Sequence, residues 1–322
     1  MTEKIQLRVK IITWNLGDNK LTQAEWLDEI KKSWSIITVK DYDVLGLCLQ
    51  EDSRGKFGKL AEAIAQFLGP EFSVASDSVE GPPEISKLSF SVRAYLYLRK
   101  SIFRNPSIKT QDACLARAVY CTKSSAGVSV IAVIDGKILQ ILLISSHLPI
   151  NTKKEDLGYA ERIAAVKRTF EEVYDKIVDR TIPQRVAFWG GDLNFRSDTP
   201  THEGGNPMKD QLLYAFSTRP ASFFREFAEP DVEFPPTCKM VTCDKLNCPA
   251  CRNRSGQTFN PTCYVQEGAK GGITRHPSHC DRILYRADDV DGEIIDYKSW
   301  GGARTLQHSD HNLVYLAIEL IV

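Results

Sequence analysis

The stretch Phe188-Trp189-Gly190-Gly191-Asp192-Leu193-Asn194-Phe195-Arg196 sets a carboxylate and an amide two residues apart after an apolar run. In extended chain such residues point to the same side. A carboxylate only accepts hydrogen bonds, whereas an amide donates and accepts. The pair suits holding and deprotonating a water beside a phosphate. Gly190 and Gly191 are expected to turn the backbone tightly at the strand end. Taken alone, the same residues read as a Gly-Asp turn with Asn194 capping the next element. Further polar clusters shift that balance: Thr13-Trp14-Asn15, Gln50-Glu51, Ser145-Ser146-His147 and Ser309-Asp310-His311. Together they supply oxygen ligands for a hard cation, a base and two imidazoles. Mg²⁺ takes a few carboxylate or amide oxygens plus water and substrate phosphate.

Strand-like segments lead into most of these clusters. Gln6 to Trp14 alternates, and Asp43 to Gln50 is nearly all apolar, as in a strand buried on both faces. Val128 to Ile134 and Ile138 to Ser146 form a hairpin across Asp135-Gly136. Leu88 to Arg99, Asp281 to Tyr285, Gly292 to Asp296 and Asn312 to Leu320 also read as strands, and 76–86 as a loop. Thr22 and Glu25 make a capping box for a helix carrying Trp26, Ile30, Trp34 and Ile37 on one face. Ser53 caps a second helix, stopped by Gly69-Pro70. The longest helix runs from Tyr159 to Val178, and short helices lie around 211–213 and 223–224. No repeat or long linker divides the chain, so 1–322 reads as one domain with a cysteine-rich insert at about 237–272. Many strands with helices between groups of them point to two packed sheets flanked by helices.

The 322 residues are 43% hydrophobic and 25% charged, an ordinary globular composition. Basic and acidic residues balance at 41 each. A chain that lives on a nucleic-acid backbone usually carries a basic surplus, so the balance weighs against a nuclease. No apolar run reaches the roughly 18 residues of a membrane span. The start lacks a signal-peptide core, Thr2 excludes myristoylation, and the end carries no prenylation cysteine. Nine cysteines, an odd count without a secretory signal, argue for a reducing compartment, hence a cytoplasmic location with peripheral membrane contact as an option. Cys48, Cys114 and Cys121 are expected as buried thiols.

The stretch from Phe188 to Arg196 resembles the first signature of the inositol polyphosphate 5-phosphatases. Arg275-His276-Pro277-Ser278-His279-Cys280-Asp281-Arg282-Ile283-Leu284 resembles the second. The resemblance takes in Asn15, Glu51, His147, Glu161-Arg162, Asp210-Gln211-Leu212, Phe234-Pro235-Pro236-Thr237 and Ser309-Asp310-His311, nearly the whole chain. It implies the endonuclease/exonuclease/phosphatase fold, a four-layered α/β sandwich of the DNase I-like type. It also implies Mg²⁺-dependent removal of a 5-phosphate from phosphoinositides or soluble inositol polyphosphates. Glu51 and Asn15 would bind Mg²⁺, Asp192 would be the general base, and Asn194 would position water and phosphate. His147 would donate to the scissile phosphate. Asp281 would orient His311, whose imidazolium would stabilise transition-state charge, and Asp310 would support the metal site. Arg196 and Arg282 either contact phosphate or hold loops through buried carboxylate pairs, the second being the preferred reading.

The departures fall on the head-group pocket. The family's Pro-Thr-Tyr-Lys is Pro236-Thr237-Cys238-Lys239 here, so Lys239 and Arg275 keep the charge of the 4-phosphate grip while Cys238 loses the phenol. Lys123 stands near where the family's Gly-Asn-Lys-Gly contact would fall. Cys238, Cys243, Cys248 and Cys251 read as a candidate structural Zn²⁺ set, the alternative being a loop with free thiols. The expected partner is the inositol phosphate or phosphoinositide substrate, with transient contact at a membrane surface, no nucleic acid, and a monomeric chain. The competing functions are a phosphodiesterase of the same fold, either nuclease or sphingomyelinase-like, and a catalytically silent phosphoinositide binder.

Overall fold

A computed structural model describes residues 5–17, 21–33, 41–52, 59–79, 92–115, 123–150, 158–196, 210–238, 278–300 and 309–322. Two mixed sheets form its centre. One has the order β10-β11-β1-β2-β4-β3 and the other β5-β6-β7-β8-β9. The first sheet is built from β1 (Gln6–Asn15), β2 (Val44–Gln50), β3 (Phe72–Val79), β4 (Val92–Arg99), β10 (Asp291–Trp300) and β11 (Leu313–Ile321). The second contains β5 (Ser107–Cys114), β6 (Ser124–Ile134), β7 (Lys137–His147), β8 (Gln184–Asp192) and β9 (Asp281–Asp288). Each sheet has one parallel pair near its middle, β1 with β2 and β7 with β8, and its other pairings are antiparallel.

The alternation of strand side chains sends Val9, Ile11, Leu143, Phe188 and Leu316 into the space between the sheets. The opposite face of the first sheet, with Ile12, Leu45 and Leu47, packs under α1 (Gln23–Ser33) and α2 (Lys59–Leu68). The opposite face of the second, with Leu142, Ile144 and Trp189, packs under α3 (Tyr159–Thr169) and its continuation. The result is the four-layered α/β sandwich. The predicted capping box is present: Glu25 N–H donates to Thr22 Oγ1 at 3.3 Å, and Thr22 N–H donates to the Glu25 carboxylate at 2.7 Å. Asp135 and Gly136 both hold positive φ, 47° and 82°, as the two-residue hairpin requires. Among the described residues no helix is long and apolar enough to cross a membrane.

Three expectations change, and one strand is new. Residues 76–79 continue β3 rather than opening a loop. Strand β5 carries no sequence signal because it is a polar sheet edge, mostly exposed. The long helix is not uniform: it passes through a π-helical turn at Phe170–Tyr174 before its last turn, α4 (Asp175–Ile177). Cys114, expected as a buried thiol, is disulfide-bonded, whereas Cys48, Cys238 and Cys280 are free and buried. The Ser53 cap and most of the 237–272 insert lie outside the described residues.

Candidate active site

Register assembles the site. The C-terminal ends of all four parallel strands meet at one edge of the sandwich, the place where open α/β sheets bind ligands. In the first sheet Asn15 lies opposite Gln50. In the second, His147 pairs with Asp192, which pairs with Asp281 on β9. Gly190 and Gly191 remain within β8 and have no positive φ, so they do not make the predicted turn. They allow close approach instead: a Cβ on Gly191 would lie 2.0 Å from the Ser146 carbonyl oxygen. The chain turns later, at Asn194, with φ 53°. Glu51, at the end of β2, likewise holds φ 54°. Such backbone conformations in residues other than glycine persist where surrounding structure enforces them, often at functional sites.

Asp192 is buried at the centre of the cluster. Its Oδ1 accepts the Asn194 backbone N–H at 3.2 Å, and its Oδ2 accepts the Asn15 side-chain amide at 3.0 Å. His147 Nε2 is 3.3 Å and His311 Nε2 4.0 Å from that same Oδ2. Burial alone would raise the Asp192 pKa, but the hydrogen bond from His147 and the charge of His311 hold it well below the usual carboxylate range.

The two histidines are pushed in opposite directions. His311 Nδ1 is 2.8 Å from Asp281 Oδ2. Burial opposes its charge, yet the Asp281 carboxylate raises its pKa to about 10. At neutral pH His311 is therefore an imidazolium. His147 is lowered from 6.5, first by burial and then by Lys123, whose ammonium abuts His147 Nε2. Its Nδ1 is buried without a partner among the described residues, so Nε2 is the nitrogen that faces the site.

A ring of other residues fixes these groups. Thr237 Oγ1 donates to Asp281 Oδ2 at 2.7 Å and accepts the Asp281 N–H at 3.2 Å. Ser309 Oγ donates to the Asn15 carbonyl at 2.5 Å and accepts the His311 N–H at 3.0 Å. Trp14 Nε1 donates to the His311 carbonyl at 3.1 Å. Asn194 is held by Leu148 and Arg196: its amide donates to the Leu148 carbonyl at 2.9 Å, and its Oδ1 accepts Arg196 Nη2 at 2.5 Å. The sequence alone assigns Thr237 and Ser309 no role. The one available signal was their place beside charged residues in short polar clusters.

Arg282 is buried and engages carboxylates, with Nε donating to Glu229 Oε1 at 2.6 Å and Nη1 to Asp210 Oδ2 at 2.9 Å. Asp210 also caps α5 (Gln211–Thr218), accepting from Leu212 N and Leu213 N. Arg196 points to Asn194 and to Cys238 Sγ, 3.3 Å away. Both arginines thus sit in the supporting frame. Lys123, in contrast, reaches the centre. Lys239, Arg275, Cys243, Cys248 and Cys251 lie outside the described residues.

Asp192, Asp281 and His311 bring potential ligand atoms within 4.8 Å of one another. An imidazolium has no lone pair for a cation, however, and its Nδ1 is already spent on Asp281. The hard-oxygen set lies beside them. Glu51 Oε1 is 3.9 Å from His147 Nε2, Asp310 Oδ1 is 3.7 Å from His311 Nε2, and Asn15 Oδ1 accepts the Gly17 N–H. Half-exposed carboxylates with an amide oxygen fit Mg²⁺ or a similar hard ion.

A family model described as Endonuclease/Exonuclease/phosphatase family 2 matches residues 86–317. The human phosphatidylinositol polyphosphate 5-phosphatase type IV is 26% identical across 95% of this chain and 44% of its own length. The human phosphatidylinositol 3,4,5-trisphosphate 5-phosphatase 1 is 28% identical across 41% of this chain and 11% of its own length. The chain thus spans less than half the length of these curated relatives. Among solved structures, the inositol polyphosphate 5-phosphatase domain of SPsynaptojanin superposes with a TM-score of 0.62 at 16% identity, covering 98% of this chain and 85% of that one. At that identity the likeness is one of fold.

Proposed function

The chain belongs to the endonuclease/exonuclease/phosphatase family 2, and we propose that it removes the 5-phosphate from phosphoinositides or soluble inositol polyphosphates with the help of Mg²⁺. The observation that carries the chemistry is Asp192, a buried carboxylate approached by two imidazoles of opposite proton affinity. The substrate class comes from the relatives. Both curated proteins bear 5-phosphatase names, and the solved neighbour is described in complex with inositol (1,4)-bisphosphate and a calcium ion.

In this reading Asp192 takes a proton from the attacking water. A carboxylate held so low is a weak base, so it accepts the proton as the oxygen–phosphorus bond forms rather than beforehand. Asn15 and the Asn194 backbone hold its two oxygens in place. The imidazolium of His311 donates from Nε2 to a phosphoryl oxygen, and Asp281 prevents its ring from turning. Lys123 and His147 meet the same phosphate from the other side. Glu51 and Asp310, with Asn15 Oδ1, would hold Mg²⁺, which when bound polarises the phosphoryl oxygens and neutralises developing charge. Water is the nucleophile, so no phospho-enzyme forms.

The test is phosphate release from a panel of soluble inositol phosphates and short-chain phosphoinositides, each with and without the 4- and 5-phosphates. Release should require the 5-phosphate, stop on chelation, and return with Mg²⁺. Asp192→Ala should lower kcat by roughly 10²–10⁴-fold. Release from no member by the folded protein with Mg²⁺ present would overturn the proposal, and cleavage of a phosphodiester instead would move the chain to diesterase chemistry.

A further inference from the structure

Cys238 and Cys280 lie side by side in the wall of the site. Their sulfurs are 2.9 Å apart, both side chains are fully buried, and both are free thiols. Neither takes part in the mechanism above. Each nonetheless belongs to a segment that carries it. Cys238 follows Thr237, the residue that holds Asp281, and its backbone bridges to His311 and to Ser278. Cys280 precedes Asp281, and its carbonyl accepts the Leu193 N–H at 2.7 Å, tying it to the Asp192–Asn194 turn. Arg196 Nη1 is 3.3 Å from Cys238 Sγ. A guanidinium at that distance favours a thiolate and opposes a bound cation, which directs the pair toward redox chemistry rather than metal binding.

We propose that Cys238 and Cys280 are an oxidation site at which hydrogen peroxide forms a reversible disulfide that lowers activity. The thiols differ as the chemistry requires. Burial raises the Cys238 pKa, but the hydrogen bond from Cys280 and the Arg196 charge bring it down to about 7, so a sizeable thiolate fraction exists at neutral pH. Burial holds Cys280 well above its ordinary value, as the protonated partner.

The Cys238 thiolate attacks one peroxide oxygen, breaking the O–O bond to give a Cys238 sulfenic acid and hydroxide. Cys280 sulfur then attacks the sulfenic sulfur. The S–S bond forms, the S–OH bond breaks, and the Cys280 proton leaves with the departing oxygen as water. In total two thiols and one peroxide become one disulfide and two waters, the sulfurs losing two electrons to the peroxide. A dithiol reductant reverses it by exchange.

The structural consequence follows from length. A disulfide needs a sulfur separation of about 2.05 Å, so the two sulfurs must close by about a further 0.9 Å through rotation of the side chains and movement of the segments that carry them. Bond formation also removes the negative acceptor facing Arg196, whose other arm holds Asn194. A misplacement of about 1 Å in a catalytic constellation costs on the order of 10²-fold.

The full chain would be treated with hydrogen peroxide, alkylated, digested and mapped, in parallel with phosphate-release assays before and after dithiothreitol. The proposal expects a peptide linking Cys238 to Cys280, a fall in kcat of about 10–100-fold, and recovery on reduction. Cys238→Ser, or Cys238→Ala where serine unfolds the protein, removes the attacking thiolate and should keep the ratio of treated to untreated activity within about twofold. The activity arm rests on the proposed phosphatase reading. The imidazole NMR titration of His311 reads the coupling without substrate, and its pKa should shift on oxidation in the wild type only. Separate alkylation of the two cysteines after peroxide, or a linked protein with unchanged activity and unchanged His311 titration, would overturn the proposal.

Discussion

Asp281→Asn removes one negative charge behind His311 and almost no volume. The raised His311 pKa, from 6.5 to about 10, corresponds to roughly 5 kcal/mol of preference for the protonated ring. Breaking a buried charge pair by removing one partner costs about 3–5 kcal/mol, which agrees. Without Asp281, burial, the largest influence, lowers the His311 pKa, and the smaller upward pulls of Asp192 and Asp310 remain against it. The variant's His311 should therefore be neutral at pH 8, and kcat there should fall by about 10²–10³-fold, the usual loss for one donor to developing negative charge. The deficit should shrink as the pH falls toward 6.

Stability gives a second readout with a definite sign. A pKa raised by folding contributes stability that is fully present below 6.5 and is lost as pH rises through about 10. Above pH 6.5 two other groups run the opposite way. Burial lowers Lys10 to about 8, so folding is favoured by rising pH between about 8 and 10.5. Cys238, at about 7, does the same between about 7 and 9. Wild-type stability against pH is therefore a mixture; the Lys10 contribution drops out of the difference between wild type and variant to first order, and making both comparisons in a Cys238→Ser background removes the other, which His311 and Asp281 both influence. That difference should be largest near pH 6 and decline by about 1.4 kcal/mol per pH unit above 6.5. Urea unfolding from pH 6 to 9.5 measures it, and NMR of the imidazole gives the His311 pKa directly. A flat difference across that range, or a variant His311 that still titrates above pH 9, would refute the assignment of His311 as the Asp281-held imidazolium.

Two further substitutions test the frame. Gly191→Ala places a methyl group 2.0 Å from the Ser146 carbonyl oxygen, between the parallel strands β7 and β8. It should cost about 3 kcal/mol or more, read as a lower urea midpoint; an unchanged midpoint would show that the strands part without strain. Glu229→Ala strips the buried Arg282 guanidinium of its bidentate partner and Tyr297 Oη of its acceptor. A loss of about 3–5 kcal/mol in the same assay is expected, and a loss under 1 kcal/mol would show that Asp210 suffices.

The strands that end in chemistry were legible because burial and function use different positions along them. β1, β2, β7 and β8 each announce themselves by an apolar run that closes on polar residues. β5 was not, since a solvent-facing edge needs no apolar pattern. Gly190-Gly191 was visible as a motif but misleading as a turn, because the clash that demands glycine comes from Ser146, forty-five positions earlier than Gly191. The Asp281–His311 contact spans thirty residues and came from resemblance, not from spacing. Nothing local could have shown that Cys280 Sγ meets Cys238 Sγ, because that pairing depends on the return of β9 beside β8.

The two imidazoles around Asp192 explain why the frame is so elaborate. A single carboxylate oxygen is approached by both rings, so their different protonation must come from what stands behind each. Behind His311 stands Asp281, and Thr237 occupies the same oxygen of that carboxylate. Beside His147 stands the Lys123 ammonium, which makes a second positive charge costly. In the proposed mechanism one ring is thereby kept charged to meet developing negative charge, and the other is kept near neutrality so that Asp192 is not locked into two full ion pairs. A carboxylate caught between two imidazoliums would be too stabilised to accept a proton from water. Keeping those environments distinct requires Asp281 from β9, Thr237 from the preceding loop and Lys123 just before β6 all to arrive at one edge. The long-range register of the second sheet is thus part of the proposed proton chemistry.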